Sequence, residues 1–598
     1  MSSSDLIIGM AGSGGDGIVS AGDAFMSAAG RQGYHALLTK SFGPQIRGGE
    51  SSCRLRLSTD PIVSTGGNLD VAVALNWKDF LKFGGELPVG GETSVIYDSN
   101  TGVAPDHLPL PAVTPREALA IPIGDMAKEV AGTERAKNSV VLGLLSAWTG
   151  MDQESILAGI RKRFSKKSAE VVEGNERAFA AGVKWAEDNP LAAPRTLAPS
   201  KGLGQDKITV DGNEICAAAA LFCGCEFFGG YPITPSSEIM HFLGREIWKY
   251  GGTMVQAEDE IAGIGAVVGA SFAGKKAMTA TSGPGMSLKT EMLGLATIAE
   301  LPLVCVNVQR GGPSTGIPTK SEQSDLFQAC FSAHGDNVRP VLSPISVKDT
   351  FYLTVEAFNI AEEYQTPVIL LTDQEIAQRK ETLILPDTSG IEVKERRRPT
   401  ESELENYQRF RVTDSCVSPI SQPGMEGGNY LASGIEHTEA GAPTASGEAH
   451  ARMSKKRIQK LDPLKHREDL FFIEGDPRAP VALVAWGSVA GVVREALRIV
   501  IDKGIQAKLL VPKLLYPVAE EVYQDFFQGV QAGLVVEQSY QGQLFHLIRM
   551  YVDLPPNVWP FKRAGSNPIL PGAVRGRLER LILELQQKQV PETQQADG

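Results

Sequence analysis

Short apolar runs alternate with helical stretches along most of the chain. Residues 6–8 form an apolar run that leads into a glycine-rich turn and an alanine-rich helical pattern. Further on, strand-like runs at 303–307 and 368–371 alternate with helical stretches such as 261–273, and the same alternation resumes from 481–485. Strands that alternate with helices predict parallel sheets. We therefore expect an α/β protein.

Breaks in this pattern divide the chain into several domains. Its 598 residues exceed what one core organises, since about 150 residues per domain is usual. Residues 191–205, rich in Pro, Ala, Gly and Ser, are predicted to form a linker. Residues 387–460 are polar and show neither helical nor strand periodicity, which predicts a long connecting excursion. The predicted order is an α/β domain at 1–190, a linker at 191–205, a second domain at 206–386, the excursion at 387–460, a third domain at 461–586 and a tail at 587–598.

Composition excludes several classes of function. The net charge of -12, without a basic stripe, disfavours nucleic acid as a partner. The seven cysteines lack disulfide or metal-ligand spacing, and the one close pair, Cys223-Gly-Cys225, cannot complete a metal or cluster site. We expect no bound metal in this chain. With neither a basic N-terminal region nor about 18 uninterrupted apolar residues, we expect a cytoplasmic protein without a membrane span.

A glycine-rich loop near the N-terminus leaves two interpretations open. Gly12, Gly14 and Gly17 form G-x-G-x-x-G between a predicted strand and helix, which is typical of phosphate binding and equally of a structural tight turn. The next strand ends in Lys40, where an NAD site needs an acid, so an anion other than NAD is favoured. A second loop, shaped by a proline and paired glycines, presents Arg47 for a carboxylate or phosphate.

Three central motifs carry candidate chemistry. Tyr231-Pro-Ile-Thr-Pro235 presents the Thr234 hydroxyl from a preset turn, although a simple helix-capping turn has the same pattern. Gln256-Ala-Glu-Asp-Glu260 places acids before a Gly/Ala-rich helix, where a carboxylate also favours the helix dipole. In Gln309-Arg-Gly-Gly-Pro-Ser-Thr-Gly-Ile-Pro-Thr319, Arg310 follows a strand on a Gly/Pro-shaped loop, which suits a substrate carboxylate.

Together these motifs resemble the 2-oxoacid:ferredoxin oxidoreductases. Gly9-Met-Ala-Gly-Ser-Gly-Gly-Asp-Gly17 and Gly43-Pro-Gln-Ile-Arg-Gly-Gly49 resemble the gamma region of that family, and the central motifs resemble its alpha region. Leu534 to Gln543 resembles its transketolase-like C-terminal region, to which we assign no chemistry. The resemblance implies a gamma-type α/β domain, a thiamine diphosphate-binding domain of the pyrimidine type and a transketolase-like α/β domain, fused in one chain.

The resemblance also implies residue roles. By the resemblance, Thr234 lies beside the thiazolium ring of the cofactor. Glu260 faces the pyrimidine ring nitrogen, with Glu258 as the alternative. Thr234 and Glu260 are therefore the implied catalytic residues. The implied cofactor-binding set is Tyr231, Pro232, Ile233, Thr234 and Glu260; the substrate-binding set is Arg310, Thr319 and Arg47; and the CoA or anion site is Gly14, Gly15 and Lys40.

Two binding sites that the chemistry of this family requires are missing from this sequence. Neither a magnesium-diphosphate motif nor a run of cluster-binding cysteines occurs, so the resemblance implies a beta subunit that holds Mg²⁺ and a 4Fe-4S cluster. It further implies CoA as cosubstrate, ferredoxin as electron partner and a dimer of alpha-beta heterodimers.

The expected reaction converts 2-oxoglutarate to succinyl-CoA and CO2, and it could run backward in the reductive TCA cycle. The alternative is the same chemistry on pyruvate or another 2-oxoacid. A nicotinamide dehydrogenase is disfavoured by Lys40, and an inactive scaffold by the joint presence of Thr234, Glu260 and Arg310.

Overall fold

The chain folds into two units in the computed structural model, which describes residues 3–43, 49–110, 113–204, 206–565 and 567–589. The first unit consists of Met1–Asp211 and Gln378–Pro386, and the second of Gly212–Ala377 and Asp387–Gly598. Both combine sheets with helices, which confirms the predicted α/β class. In the described part of the chain, helices that are both long and apolar enough to cross a membrane are absent.

The first unit is built on a mixed eight-stranded sheet. Its strands are β1 Asp5–Gly12, β2 His35–Phe42, β3 Ser51–Ser58, β4 Val71–Ala74, β5 Ser94–Asp98, β6 Glu117–Ile121, β7 Lys207–Asp211 and β14 Lys380–Ile384, in the order β6-β5-β4-β1-β3-β2-β14-β7. Its helices are α1 Ile18–Arg31, α2 Trp77–Lys82, α3 Ile123–Ala131, α4 Lys137–Thr149, α5 Gln153–Phe164 and α6 Ala169–Asp188. Apolar residues of β1, such as Ile8 and Met10, pack under α1 and α4 to form its main core.

Two strands of this sheet come from sequence that we assigned to the central domain, 206–386. Strand β14 pairs antiparallel with β2, where Lys380 lies opposite Leu38, and also with β7, where Lys380 lies opposite Asp211. Backbone groups at the edge of β2 are thereby paired, because an edge strand accepts a neighbour wherever its hydrogen-bonding groups are free. The chain therefore returns to the N-terminal sheet after the central strands.

The second unit contains two sheets. The larger one has the order β18-β12-β13-β11-β10-β8-β9, in which β18 is antiparallel to β12 and all other pairs are parallel. Its strands are β8 Phe227–Gly230, β9 Thr253–Gln256, β10 Ala277–Thr281, β11 Leu303–Gln309, β12 Val341–Leu342, β13 Pro367–Asp373 and β18 Leu514–Tyr516. The smaller sheet, β15-β17-β16-β19-β20, consists of β15 Phe471–Gly475, β16 Val481–Ala485, β17 Ala507–Pro512, β19 Ala532–Glu537 and β20 Val558–Lys562.

Helices cover the sheets of the second unit. They are α7 Gly212–Phe222, α8 Ser237–Glu246, α9 Glu260–Phe272, α10 Gly283–Ile298, α11 Leu326–Phe331, α12 Val347–Tyr364, α13 Gln374–Gln378, α14 Glu401–Leu404, α15 Gly447–Gln459, α16 Val489–Asp502, α17 Glu520–Phe527, α18 Gln543–Tyr551 and α19 Pro571–Gln589. One core cluster includes Cys305 and Ile369 of the larger sheet together with Val484 and Leu510 of the smaller one. The two sheets are therefore packed into a common interior.

The polar stretch 387–460 packs on the second unit through buried charges. Arg396 and Glu362 form an ion pair at 2.7 Å, with both side chains almost fully buried. Glu300 accepts hydrogen bonds from Lys456 at 2.5 Å and from Lys460 at 3.0 Å. Removing one partner of a buried ion pair is strongly destabilising, so these contacts hold the excursion in one arrangement.

Candidate functional site

Three segments of the second unit lie at the carboxyl ends of neighbouring parallel strands. The Tyr231 loop follows β8, the start of α10 follows β10, and the Arg310 loop follows β11. Carboxyl ends of parallel strands meet at one edge of a sheet, which is where ligands bind in open α/β folds. Gly229 lets α9 approach β8 closely, since a Cβ there would lie 2.6 Å from the Gly263 carbonyl oxygen.

Arg310 connects two of these loops. Its Nη1 donates a hydrogen bond to the carbonyl oxygen of Thr234 at 2.5 Å, and the residue is 6% exposed. Burial lowers the pKa of Arg310, and the nearby Asp325 opposes that shift. Thr234 is partly buried on the loop between β8 and α8, together with Pro232 and Ile233, whereas Tyr231 is more exposed.

Backbone hydrogen bonds shape the loop after Arg310. The Ile317 N–H donates to the Gly311 carbonyl oxygen at 2.8 Å, and the Gly311 N–H donates to the Lys320 carbonyl oxygen at 2.9 Å. Gly316 has a φ of +56°, and a Cβ there would lie 1.8 Å from the Gly311 carbonyl oxygen. Only glycine fits this tight turn. Thr319, near the end of the loop, is buried, and its carbonyl oxygen accepts a hydrogen bond from Gln374.

Glu260 is the first residue of α9 and is 8% exposed, whereas Glu258 is exposed. The fully buried Lys289 donates from Nζ to the Glu260 carbonyl oxygen at 3.0 Å. A Cβ on Gly285 would lie 2.9 Å from Glu260 Oε1 and 2.1 Å from Thr281 Oγ1. The Glu260 carboxyl group is therefore seated against the first turn of α10, where only glycine leaves room.

Several buried polar atoms at this strand edge have no hydrogen-bond partner among the described residues. They are Ser282 Oγ, Asn307 Oδ1 and Arg310 Nε. Buried polar groups are normally paired, and exceptions are frequent at binding and catalytic sites. A buried carboxylate such as that of Glu260 can bind a ring that carries a basic nitrogen, as thiamine does.

A cavity of about 540 Å³ opens beside Arg310. Its walls come from the Arg310 loop, the start of α10, the segment before and within α11, and a C-terminal loop; they comprise Gly283, Pro284, Ser287, Arg310, Gly311, Gly312, Pro313, Ser314, Glu322, Ser324, Asp325, Gln328, Ser539, Tyr540, Gln541 and Gln543. Of the residues predicted for the site, Arg310 lines this cavity. Thr234, Glu260 and Thr319 are not among the residues that form its walls.

The C-terminal wall is a feature that the sequence analysis missed. Gln543 donates from Nε2 to the Ser324 carbonyl oxygen at 2.7 Å, and its Oε1 accepts from the Phe327 N–H at 2.9 Å. The Gln538 N–H likewise donates to the side chain of the buried Gln323 at 2.9 Å. A polar string rich in Gln and Ser at the end of the buried strand β19 was the available signal.

Asp325 is an acid in the cavity wall that the sequence analysis also missed. Burial raises the pKa of its carboxyl group to about 6, although the side-chain amide of Asn307 and the charge of Arg310 act in the opposite direction. The Asn307 Nδ2 donates to Asp325 Oδ2 at 3.1 Å. A carboxyl group that titrates near neutrality in a cavity is a candidate for function.

In the first unit, the lysine of the predicted anion site is already paired with an acidic side chain of the same chain. Lys40 forms an ion pair with Asp23 at 3.1 Å, and Lys380 contacts the same carboxylate at 3.0 Å. Gly14 and Gly15 are exposed on the turn before α1, and Gly15 has a φ of +101°. CoA or anion binding there stays a prediction. Arg47 lies outside the described residues.

The cysteines are free thiols, and six of them are buried. Burial raises the pKa of the Cys223 and Cys225 thiols to about 12, which disfavours the thiolate that binds metals. Groups of His, Cys, Asp or Glu that could hold a metal ion are absent from the described ranges.

Comparisons with known families first define the class. Residues 218–456 match a family described as "Pyruvate flavodoxin/ferredoxin oxidoreductase, thiamine diP-bdg", and residues 7–185 match "Pyruvate ferredoxin/flavodoxin oxidoreductase". The fold and these matches define a thiamine diphosphate-binding oxidoreductase.

Individual relatives are more specific. The chain is 30% identical to the alpha subunit of 2-oxoacid:ferredoxin oxidoreductase 2 of Aeropyrum pernix, over 96% of this chain and 97% of the relative. It is 40% identical to the 2-oxoglutarate synthase subunit KorA of Archaeoglobus fulgidus, over 55% of this chain and 87% of the relative. A solved 2-oxoglutarate:ferredoxin oxidoreductase of Magnetococcus marinus, with 2-oxoglutarate, coenzyme A and succinyl-CoA bound, has a TM-score of 0.91 at 37% identity, over 97% of this chain and 100% of that one. The chain belongs to the 2-oxoacid:ferredoxin oxidoreductase family, which confirms the resemblance.

Proposed function

We propose that this chain is the large subunit of a 2-oxoglutarate:ferredoxin oxidoreductase. The reaction is the oxidative decarboxylation of 2-oxoglutarate with CoA to succinyl-CoA and CO2, with electrons passed to ferredoxin through a 4Fe-4S cluster. The observation that carries the proposal is Arg310, a buried arginine that is oriented by the Thr234 carbonyl oxygen and lines a cavity of about 540 Å³.

Arg310 is assigned to a substrate carboxylate. A guanidinium group recognises carboxylates through paired hydrogen bonds, and Arg310 Nε has no protein partner among the described residues. A desolvated ion pair of this kind contributes far more to binding than an exposed one. Thr319 is buried near the end of the same loop and is assigned to substrate binding by its motif.

Glu260 and Thr234 are assigned to the cofactor. Thiamine diphosphate, when bound, supplies the carbanion chemistry by which a 2-oxoacid loses CO2. The Glu260 carboxylate would hold the proton at the pyrimidine ring nitrogen, and its seat against Gly285 restricts the positions it can take. The burial of Glu260 and the exposure of Glu258 support this choice between the two acids.

A second subunit is part of the proposal. We assign to it the Mg²⁺ and diphosphate site and the 4Fe-4S cluster, because groups able to hold a metal are absent from the described residues of this chain. Large apolar side chains are exposed on neighbouring elements around the site: Ile261 by 50%, Leu288 by 49%, Tyr231 by 38% and Val255 by 37%. These side chains are candidates for the surface that the second subunit covers. The proposed assembly, a dimer of alpha-beta heterodimers, rests on the resemblance to the family.

Pyruvate is the second candidate substrate, because both matching family descriptions name it. The two substrates differ by the distal carboxylate of 2-oxoglutarate, so the complex with the second subunit should be assayed with both, using CoA and ferredoxin. We expect kcat/KM for 2-oxoglutarate to exceed that for pyruvate by at least about tenfold, since one good charged contact contributes about 1.4 kcal/mol or more. A preference for pyruvate would overturn the substrate assignment.

A further inference from the structure

Asp325 is fixed in the cavity wall by two side chains of β11. Its backbone N–H donates to Gln309 Oε1 at 3.0 Å, and its Oδ2 accepts from Asn307 Nδ2 at 3.1 Å. Both partners are fully buried. The carboxyl group is therefore held at the carboxyl end of the strand that also leads into Arg310.

The start of α10 fixes the same carboxyl group from another side. A Cβ on Gly283 would lie 3.0 Å from Asp325 Oδ2 and 3.4 Å from Oδ1, so the carboxyl group packs directly against this glycine. The position is tight enough that a larger residue at 283 would have to displace it. Asp325 is thus an ordered part of the cavity wall.

The charges of the cavity make an ionised Asp325 unfavourable for an anionic ligand. Of the described lining residues, Arg310, Glu322 and Asp325 are the charged ones, and Tyr540 is the other titratable group. With both acids ionised, the wall has one positive and two negative charges. Like charges brought together cost several kcal/mol, so a 2-oxoacid would meet net repulsion in this state.

Glu322, the other acid of the cavity wall, has a hydrogen-bond donor at each of its carboxyl oxygens. Its Oε1 accepts from the Gly565 N–H at 3.1 Å and its Oε2 accepts from the Ser324 hydroxyl at 3.3 Å. Both carboxyl oxygens of Glu322 are thereby engaged by donors from the protein. At Asp325, burial and the charge of Glu322 favour the neutral carboxylic acid. Asn307, Arg310 and the start of α10 favour the ionised form.

We propose that Asp325 is a substrate-binding residue that acts as a neutral carboxylic acid, so that loading the cavity with a 2-oxoacid takes up one proton at this side chain. As an acid it donates a hydrogen bond to the bound carboxylate, and the wall then carries one positive and one negative charge, so its net negative charge is removed before the ligand enters. This inference rests on the proposed function, because it takes the cavity to be the 2-oxoacid site.

The test is the pH dependence of KM in the complex with the second subunit, for wild type, Asp325→Asn and the control Glu322→Gln. If the ligand binds only the protonated form, KM for wild type rises about tenfold between pH 5.5 and pH 7, since a group with a pKa near 6 is mostly neutral at the first pH and mostly ionised at the second. Asn keeps the acceptor for Asn307 and cannot ionise, so KM of Asp325→Asn should vary less than about twofold over this range. Glu322→Gln should keep the rise.

A flat profile for wild type, an unchanged rise in Asp325→Asn or a flat profile in Glu322→Gln would overturn the proposal. Glutarate, which has no keto group to react, provides a second measurement that needs no variant. It should protect the wild-type complex against thermal unfolding more strongly at pH 5.5 than at pH 7.5, and equal protection would overturn the proposal. If the complex turns over pyruvate instead, the same pH profiles are measured with pyruvate, and acetate serves as the unreactive probe. The substrate assignment and the role of Asp325 are then tested separately.

Discussion

Arg310 donates a hydrogen bond from Nη1 to the carbonyl oxygen of Thr234, 2.5 Å away, and so joins two loops that lie 76 positions apart in the sequence. A backbone acceptor orients the guanidinium group without neutralising its charge. The group is therefore placed at the cavity wall while its charge stays available to an anionic ligand. The expected effect of replacing Arg310 depends on this contact.

Replacing Arg310 should impair catalysis more than stability. Removing one partner of a desolvated charge pair costs about 2 to 5 kcal/mol, so Arg310→Ala should lower kcat/KM by a factor between about 30 and several thousand. Arg310→Lys should restore only part of the loss, because lysine keeps the charge but loses the paired hydrogen bonds. Steady-state kinetics and melting temperatures of the complex with the second subunit measure both effects.

Arg339 provides the matched control. It is buried, as Arg310 is, but it donates to the Ala329 carbonyl oxygen and the Ser332 hydroxyl and does not line the cavity. Arg339→Lys should lower the melting temperature and leave KM unchanged. A lowered melting temperature with normal kinetics in Arg310→Ala would show that Arg310 only braces its loop.

Glu260→Gln should nearly abolish turnover without unfolding the chain. A neutral amide cannot hold a proton at a ring nitrogen as a carboxylate does, and we expect kcat to fall at least about a hundredfold, the usual scale for one acid-base group. Exchange of the thiazolium proton in the assembled complex measures the step directly. Glu258→Gln, at an exposed position two residues earlier, should behave as wild type. The opposite pattern would move the assignment to Glu258.

The purified chain should contain no iron. Its Cys223 and Cys225 thiols are buried with raised pKa values, and cluster binding requires thiolates. Iron and acid-labile sulfide are measured in the isolated chain and in the complex, and we expect them only in the complex. A stoichiometric 4Fe-4S cluster in the isolated chain would contradict the division of labour between the subunits.

Glu300→Gln should destabilise the second unit strongly. The substitution leaves the buried Lys456 and Lys460 without their carboxylate, which costs about 3 to 5 kcal/mol. Adding Lys460→Met, which removes one uncompensated charge, should recover part of the melting temperature. An unchanged melting temperature in the single variant would show that the ion pairs contribute little to the packing of the excursion.

The same cluster predicts sensitivity to acid. Burial favours the neutral form of Glu300, but the charges of Lys456, Lys460 and Arg409 outweigh it and hold its pKa well below its ordinary value of 4.5. The unfolded state therefore binds more protons as the pH falls, and the stabilisation from Glu300, complete above pH 4.5, is lost progressively below it. Thermal unfolding of wild type and Glu300→Gln between pH 3 and pH 6 should show the two melting temperatures approaching each other at the acid end.

The local sequence pattern was sufficient to predict the individual loops of the site. The strand-to-loop transitions at Tyr231 and Arg310 follow from apolar runs ended by Pro and Gly, and the structure places both at the edge of one sheet. Their meeting could be expected, because carboxyl ends of parallel strands share an edge. The hydrogen bond between Arg310 and Thr234 could not, since it depends on the exact approach of two loops.

Contacts between distant segments were beyond the sequence analysis. Gln543 reaches the backbone of Phe327, 216 positions away, and nothing local to either residue indicates the other. Asp325 was missed because an acid in a polar stretch looks solvated until β11 and α10 are seen to enclose it. The return of β14 to the N-terminal sheet was missed for a similar reason, since its few residues have the composition of any edge strand.

Strand β9 ends the larger sheet of the second unit, and its residues Thr253, Val255 and Gln256 are exposed. An uncovered strand edge offers its backbone groups to any other strand, including the same strand of a second copy. Copies of this chain whose β9 edge is left uncovered are therefore expected to pair edge to edge at high concentration. This edge therefore makes self-association a hazard of concentrating the isolated chain.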